Sequence, residues 1–404
     1  MLFCKLLRLD QVCERGVLRS GSGVLRSELF GGQDMITIKD MAEMLGISTT
    51  TVSNVIHGKT SEVSQKTVER VEKLLDKYEY VPNISARSLS QNSSKIIGVA
   101  LKCRKDKYAN LFSDPFFGEL IGALEAEIRA QGYFMMIYTS NDISEIIRNV
   151  LTWNVDGLIL VGMLHDDFIR IKSRYKNPTV LIDSYASREI MNYVNIGLED
   201  EEGAYEITRY LLKMGHRRIA FLADNMEGVD YTRYLGHLRA LADYGLEMKE
   251  ENLLIFHPGT VERESSLREL YYRVKNYTAF MCCSDYYAVL LMNYFMDRGI
   301  RIPEDLSITG FDNNLMSRVV RPALTTVRQD VTKKGRLAVE YLLKMIQGTE
   351  FSEWDVKLPI EIVIRDSVRE IRQEDAGDGA ADSKDVVEKA DVCGNCCNMD
   401  EKEA

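Results

Sequence analysis

Small hydroxyl and amide side chains crowd one short stretch near the beginning of the chain, between Ser48 and Asn54. At the start of a helix, such side chains lie beside backbone N–H groups that attract phosphate, and they can pair with base edges in a DNA major groove. A helix cap followed by polar surface would have the same composition. The candidates for DNA contact in and near this stretch are Thr37, Ser48, Thr49, Thr50, Thr51, Ser53, Asn54 and His57.

A second group of side chains, farther along the chain, suits a ligand rich in hydroxyl groups. Asp312 follows an apolar strand, where α/β sheets hold ligands, and its carboxylate can accept hydrogen bonds from neighbouring hydroxyls. Arg233 can donate several hydrogen bonds, and Phe117 can stack on an apolar ring face. A turn cap, a surface ion pair and a core aromatic are the respective structural alternatives, and Asp285 also suits a helix N-cap. The candidates are Phe116, Phe117, Arg233, Ser284, Asp285 and Asp312.

Short helices must position the first group. Thr37 can cap a helix, with Asp40 three residues on in a capping-box arrangement. Ser48 can cap a second helix, Thr49 to His57, and Ser64 a third in which apolar residues recur every three or four positions. Two short helices around a tight turn, followed by an amphipathic third, predict a helix-turn-helix unit.

From Lys95 onward, sequence patterns typical of strands alternate with patterns typical of helices. Apolar strand runs stand at Ile96–Ala100, Val155–Val161, Thr179–Asp183 and Ile308–Phe311, with helical stretches between them. This alternation predicts parallel sheets covered by helices on both faces.

The segment from Met35 to Leu89 resembles the DNA-binding domain of LacI/GalR-type transcriptional regulators. That family reads T-I-x-D-V-A-x-x-A-G-V-S-x-x-T-V-S-R-V-L-N, continues V-S-x-x-T-x-x-x-V, and ends Y-x-P-N-x-x-A-R-x-L. The resemblance implies that Thr49, Thr50 and Asn54 read bases, and Asn54 stands where the family usually has Arg.

The resemblance extends to a hinge over Asn83–Ser90, which in the family becomes helical only on operator DNA. Leu89 matches the leucine that wedges into the minor groove there, although ordinary linker packing is the alternative. The hinge candidates for DNA contact are Asn83, Ala86, Arg87 and Leu89.

The rest of the chain, to about residue 367, resembles the effector domain of the same family and the related periplasmic sugar-binding proteins. The matching pieces include D-P-F-F at Asp114–Phe117, R-Y-L-G-H at Arg233–His237 and I-P-E-D-L-S-I-T-G-F-D-N at Ile302–Asn313. The resemblance implies two lobes with a small ligand in the cleft, and it places Asp312, Arg233 and Phe117 at effector-contacting positions.

Together these signals predict an N-terminal all-α helix-turn-helix domain and a two-lobed, doubly wound α/β domain of the periplasmic-binding-protein-like type. Met35 directly precedes the family motif, so the preceding residues are expected to be a non-native or disordered extension. The predicted divisions are an extension at 1–34, a DNA-binding domain at 35–82, a hinge and linker at 83–94, an effector domain at 95–369 (lobe 1 about 95–197 and 324–350, lobe 2 about 198–323 and 351–369) and a disordered acidic tail at 370–404.

The charge, the apolar runs and the cysteine spacing limit the classes of protein to which the chain can belong. The net charge of −10 is concentrated from Glu370 onward, so it does not argue against DNA binding elsewhere. No apolar run is long enough to span a membrane. The CxxCC cluster at Cys393–Cys397 has no second half-site with metal-ligand spacing, so no metal is predicted.

The prediction is a cytoplasmic, nucleoid-associated homodimer that binds double-stranded operator DNA and a small-molecule effector, most simply a sugar. No cofactor, membrane partner or catalytic residue is predicted. Two alternatives stay open: a sugar-binding protein without a DNA role, and an enzyme on the same fold. The DNA-reading motif argues against the first, and the absence of phosphate-binding glycine motifs and of a nucleophile elbow argues against the second.

The departure at Asn54 leads to a testable expectation. Arginine pairs best with guanine and asparagine with adenine, so Asn54→Arg should move base preference toward guanine at one position of each half-site. The change in discrimination should be about 1–3 kcal/mol. Competition binding with duplexes varied at single positions measures it, and an unchanged preference at every position would remove Asn54 from the reading surface.

Overall fold

The computed structural model describes residues 36–56, 58–80, 93–102, 111–184, 193–257, 259 and 262–371. Residues 36–80 belong to one compact unit and residues 93–371 to another. The predicted extension at 1–34, the hinge and the tail beyond residue 371 lie outside the described residues. The same holds for five candidate DNA contacts, which are His57, Asn83, Ala86, Arg87 and Leu89.

The first unit consists of three helices, α1 (Ile38–Leu45), α2 (Thr49–Ile56) and α3 (Gln65–Lys77). The capping box predicted for α1 is present, with the side chains of Thr37 and Asp40 each accepting a hydrogen bond from the other's backbone N–H. Met41, Val52 and Val71 meet in the centre and exclude water. Local caps thus set where the helices begin, and burial of one apolar stripe from each holds them together.

The second unit contains two six-stranded sheets. The first sheet has the order β11-β5-β4-β3-β1-β2 and all its strand pairs are parallel. Its elements are β1 (Ile96–Lys102), α4 (Pro115–Ala130), β2 (Phe134–Ser140), α5 (Ile143–Thr152), β3 (Gly157–Val161), α6 (His165–Arg174), β4 (Thr179–Ile182), β5 (Val194–Leu198), α12 (Val331–Ile346) and β11 (Asp355–Leu358).

The second sheet has the order β12-β10-β9-β8-β6-β7, and β12 alone runs antiparallel to its neighbour. Its elements are α7 (Asp200–Lys213), β6 (Ile219–Ala223), α8 (Gly228–Asp243), β7 (Leu253–Ile255), α9 (Arg263–Arg273), β8 (Ala279–Cys282), α10 (Asp285–Met296), β9 (Ser307–Asp312), α11 (Leu315–Val319), β10 (Thr325–Arg328) and β12 (Glu361–Val363). Among the helices of the described ranges, none is long and apolar enough to cross a membrane.

The chain crosses between the sheets three times, after β5, after β10 and after β11. The division predicted at residues 324 and 351 is corrected here. Thr325–Arg328 pairs with β9 in the second sheet, and Asp355–Leu358 pairs with β5 in the first. The sequence of an edge strand does not indicate which sheet it joins, because its backbone pairing with a distant strand decides between the two sheets.

Helices α7 and α8 pack against each other with almost no space between their backbones. A Cβ atom built on Gly236 would lie 2.0 Å from the carbonyl oxygen of Glu201 and 2.9 Å from the backbone nitrogen of Tyr205. Only glycine allows this approach, so the close packing of the two helices depends on that residue.

Gly236→Ala should therefore lower the free energy of unfolding by about 1–3 kcal/mol or more, as overpacking does when backbone must move. Gly122→Ala is the matched control, because Gly122 is also helical and a Cβ there meets nothing within 4 Å. The free energy of unfolding of the control variant should rise by about 0.5–1 kcal/mol, because alanine has a higher helix propensity than glycine. Denaturant unfolding of both variants measures the contrast, and equal effects would contradict it.

Candidate functional site

The predicted DNA-reading residues lie along α2 and at its start. The Ser48 hydroxyl accepts a hydrogen bond from the backbone N–H of Thr51 at 3.0 Å, which makes Ser48 the cap of this helix. Thr49 and Thr50 are exposed, and Ser53 and Asn54 are half-buried on the outer side. The exposed hydroxyls at the start of α2 are thus available for contact, whereas Thr37 is engaged in the cap of α1.

The predicted effector residues lie in helices that follow strands, except for Asp312, which ends a strand. Phe116 and Phe117 stand in the first turn of α4, Arg233 stands within α8, and Ser284 and Asp285 begin α10. Asp114 caps α4 by accepting from the backbone N–H of Phe116 at 2.9 Å, and Pro115 suits the first helical position. The rings of Phe116 and Phe117 meet edge to face with centroids 5.3 Å apart. In the second sheet, Asp312 ends β9 with a positive φ of 119°, an uncommon angle for a residue with a side chain.

A chain of polar contacts joins these two places. Lys334 Nζ donates to both carboxylate oxygens of Asp183, at 2.7 and 2.8 Å, and to Gln329 Oε1 at 2.8 Å. Gln329 Nε2 donates to Asp312 at 2.6 Å. Lys334 Nζ also lies 5.6 Å from the centre of the Phe116 ring. The structure thus brings Phe116 and Asp312 together through Lys334 and Gln329.

The Lys334–Asp183 ion pair is buried, with side-chain exposures of 1% and 11%. Burial raises the pKa of Asp183, and the nearby Lys334 ammonium opposes that rise. All three donors of Lys334 are used, but each Asp183 oxygen keeps a second acceptor site. The pair therefore presents acceptors rather than donors to a ligand.

Arg233 is also in a buried pair. Its Nε donates to Asp200 Oδ1 at 2.9 Å, and one terminal nitrogen donates to the carbonyl oxygen of Cys283 at 2.5 Å. Its guanidinium lies 3.5 Å from the centre of the Phe311 ring. Loss of hydration raises the pKa of Asp312 well above its ordinary value, and the charge of Arg233 opposes this rise.

The interpretation of Asp285 as an N-cap is wrong. Ser284 caps α10 by accepting from the backbone N–H of Tyr287, whereas Asp285 is fully buried. The Asp285 carboxylate accepts from the Thr326 hydroxyl at 2.5 Å and from the backbone N–H of Asn314 at 2.9 Å. Asp285 thus ties the end of β9 to β10, and it shares no direct contact with the polar chain described above.

A cavity of about 730 Å³ includes Asp183 and Asp200 in its lining. Its described lining comes from β5, β11, the start of α7 and α8, including Trp354 and Arg239, rather than from Phe116 or Asp312. Asp183 and Asp200, the partners of Lys334 and Arg233, are thus also part of the cavity lining.

Lys334, Asp183 and Gln329 were not among the predicted site residues. One signal existed for Lys334, because it stands among the buried positions Val331, Gly335 and Ala338 of an amphipathic helix. A lysine on an apolar helix face requires a buried partner. The sequence contains no local indication that this partner is Asp183, 151 residues away.

Comparison with known proteins places this geometry in a family. The model for bacterial regulatory proteins of the lacI family matches residues 37–83, and the model for a periplasmic binding protein-like domain matches residues 208–368. The HTH-type transcriptional repressor PurR of Vibrio campbellii is 33% identical over 352 residues, which cover 83% of this chain and 100% of that protein. The chain belongs to the lacI family of bacterial regulatory proteins. The PurR repressor of Mannheimia succiniciproducens is 31% identical with the same coverage.

Solved structures agree on the fold of this lacI-family protein. The lac repressor dimer bound to operator and the anti-inducer ONPF has a TM-score of 0.72 at 24% identity, covering 83% of this chain and 99% of that one. The complex of the transcriptional regulator CelR with cellobiose has a TM-score of 0.61 at 23% identity, covering 82% and 99%. As a lacI-family member, the protein is a DNA-binding transcriptional regulator and not an enzyme.

The buried ion pair gives a stability test. Lys334→Met keeps the volume but leaves the Asp183 carboxylate buried without its cation, which should cost about 3–5 kcal/mol of unfolding free energy. The folded pKa of Asp183, already raised by burial, should rise further, so stability is lost as pH rises through that pKa. The loss of unfolding free energy relative to the parent protein should therefore be largest at neutral pH and become smaller on acidification.

The control for this variant is Lys344→Met, on the same helix. Lys344 pairs with Glu340 at the surface, at 2.6 Å, and its loss should change stability little. Denaturant unfolding at neutral and mildly acidic pH compares the variants. Equal effects of the two substitutions, or a Lys334 deficit that does not depend on pH, would argue against a buried pair.

Proposed function

We propose that the protein is a homodimeric repressor whose operator affinity is controlled by a polar small molecule bound between the two lobes. The observation that carries this proposal is the polar chain Asp183–Lys334–Gln329–Asp312, which runs from the first sheet to the second beside Phe116. A ligand at this place contacts both lobes at once. The ligand changes the affinity for DNA only to the extent that it binds one arrangement of the two lobes more tightly than the other.

Charge defines the ligand class. Both cations near the predicted site are already paired, Lys334 with Asp183 and Arg233 with Asp200. Asp312 accepts its bond from the neutral amide of Gln329. An uncharged ligand with several hydrogen-bond donors fits this balance, because an anion would find no unpaired cation among these residues. A sugar or sugar derivative, stacked on the phenylalanine pair, meets these requirements.

The same groups suit a second ligand class. Phe116 and Phe117 offer aromatic surface, and Asp312 can accept from ring N–H groups as well as from hydroxyls. A planar nitrogen heterocycle, such as a nucleobase, is therefore the competing candidate. Isothermal titration of the full chain against neutral sugars, phosphorylated sugars and free nucleobases separates the two classes.

For DNA, the proposal assigns base reading to α2 through Thr49, Thr50 and Asn54, and minor-groove insertion to Leu89. Two copies would place two such helices on a two-fold symmetric site with half-sites about one helical turn apart. The site of action is then the cytoplasmic nucleoid. A duplex selected from a random library by the parent chain should be a near-palindrome, and failure to select any sequence would sink the proposal.

Asp312→Asn tests the effector site. The substitution keeps the shape but removes a charged acceptor, so a ligand donor at this place loses about 1–3 kcal/mol. We expect normal affinity for the selected duplex and loss of the response to whichever ligand the titration identifies. Mobility-shift titration measures both the DNA affinity and the response, with Asp142→Asn, at a helix cap in the other lobe, as the control. A response at the parent's ligand concentration would exclude Asp312 from the site.

A further inference from the structure

The carboxylate of Asp156 accepts hydrogen bonds from the first described residues of the second unit. Asp156 stands in the turn before β3, and it accepts four hydrogen bonds from three consecutive residues. The Ser93 and Ser94 hydroxyls donate at 2.5 and 2.9 Å, and the backbone N–H groups of Ser94 and Lys95 donate at 2.7 and 3.1 Å. A carboxylate with four acceptor sites is thus fully used on one short segment.

The segment held by Asp156 is also fixed by its own geometry. Ser94 is buried, and its hydroxyl oxygen accepts from the backbone N–H of Ile96 at 3.2 Å. Lys95 has a φ of 56°, a left-handed conformation that costs a residue with a side chain about 1 kcal/mol or more. Its carbonyl oxygen accepts from Phe134 N–H at 2.8 Å, and its ammonium lies 4.3 Å from the centre of the Tyr133 ring.

The position of this turn in the chain gives it importance. Twelve residues, 81–92, separate it from Tyr80, the last described residue of the DNA-reading unit before the linker, and β1 follows it directly, beside the edge strand β2 of the first sheet. The turn is therefore the point at which the regulatory unit holds the linker. The linker stays joined to β1 in any case, but hydrogen bonds to Ser93, Ser94 and Lys95 shorten its free length from fifteen residues (81–95) to twelve (81–92). A shorter linker keeps its other end near a given place more often.

We propose that Asp156 is a positioning residue for operator binding, which clamps the linker to the first lobe through Ser93, Ser94 and Lys95. The clamp lets a movement of the first lobe reach the linker without slack. This inference rests on the proposed function only in that the linker must be placed for two copies to read one operator, and it is independent of the identity of the effector.

The matched pair of variants is Asp156→Ala and Asp142→Ala. Both remove a capping carboxylate from the first lobe, but Asp142 accepts from Ser144 N–H at the start of α5 and lies on no path to the linker. The probes are the duplex selected by the parent chain and a random duplex of equal length. Asp156→Ala should weaken binding to the selected duplex by roughly 1.4-fold, because the effective concentration falls as the −3/2 power of linker length and three more residues are released, with binding to the random duplex unchanged.

A second measurement separates positioning from general loss of structure. Two glycines inserted after Gln91 add slack to the linker, and in the parent they should reproduce most of the Asp156→Ala loss. In the Asp156→Ala background the insertion should cost about as much again, because both changes lengthen the same linker. Asp156→Asn, which keeps one acceptor oxygen, should be intermediate and covers the case in which the alanine variant fails to fold.

Several results would overturn the clamp. These are equal losses on selected and random duplexes, a glycine insertion that leaves binding of the selected duplex unchanged, or a loss for Asp142→Ala as large as that for Asp156→Ala. A parent chain that selects no duplex contradicts the proposed function. A parent that selects a duplex, together with an Asp156→Ala variant that binds it equally well, contradicts only the clamp.

Discussion

The ion pair between Lys334 and Asp183 is the constraint on which the region between the lobes depends. Two charges removed from water are stable there only because each neutralises the other and every ammonium hydrogen has an acceptor. Gln329 extends the pair to Asp312, so the ends of strands from both sheets share one set of bonds. The ligand that we propose for this place would have to keep these hydrogen bonds or replace them, which limits its chemistry.

Local signals predicted much of the fold because they act over a few residues. Thr37, Ser48 and Ser64 begin the three helices they were expected to cap. The strands Ser307–Asp312 and Thr179–Ile182 agree with the predicted apolar runs Ile308–Phe311 and Thr179–Asp183 to within a residue. The two late strands were assigned to the wrong sheets, since short amphipathic runs carry no information about which distant strand they pair with.

In the candidate site, too, the sequence predicted some residues but not the partners that they contact. The position of Asp312 at a strand end followed from the apolar run before it, because parallel sheets collect ligand groups at that edge. Arg233 and Phe117 were placed by the family resemblance, and they lie within α8 and α4. Their partners did not follow, since Asp200 and Lys334 lie far from them in the chain and are chosen by packing. Asp285 was misread for a related reason. A cap and a buried carboxylate occupy adjacent positions at a helix start, and only depth distinguishes them.

The order of strands in the first sheet has a consequence for how the molecule is made. Its edge next to β5 comes from Asp355–Leu358, whereas the three-helix unit is complete by Tyr80. Ribosomes add roughly 5–20 residues per second, and domains fold as they emerge. For tens of seconds, each new molecule therefore contains a finished DNA-reading unit and an unfinished first lobe. Newly made copies thus pass through an interval in which the part that reads DNA is folded and the part that controls it is not.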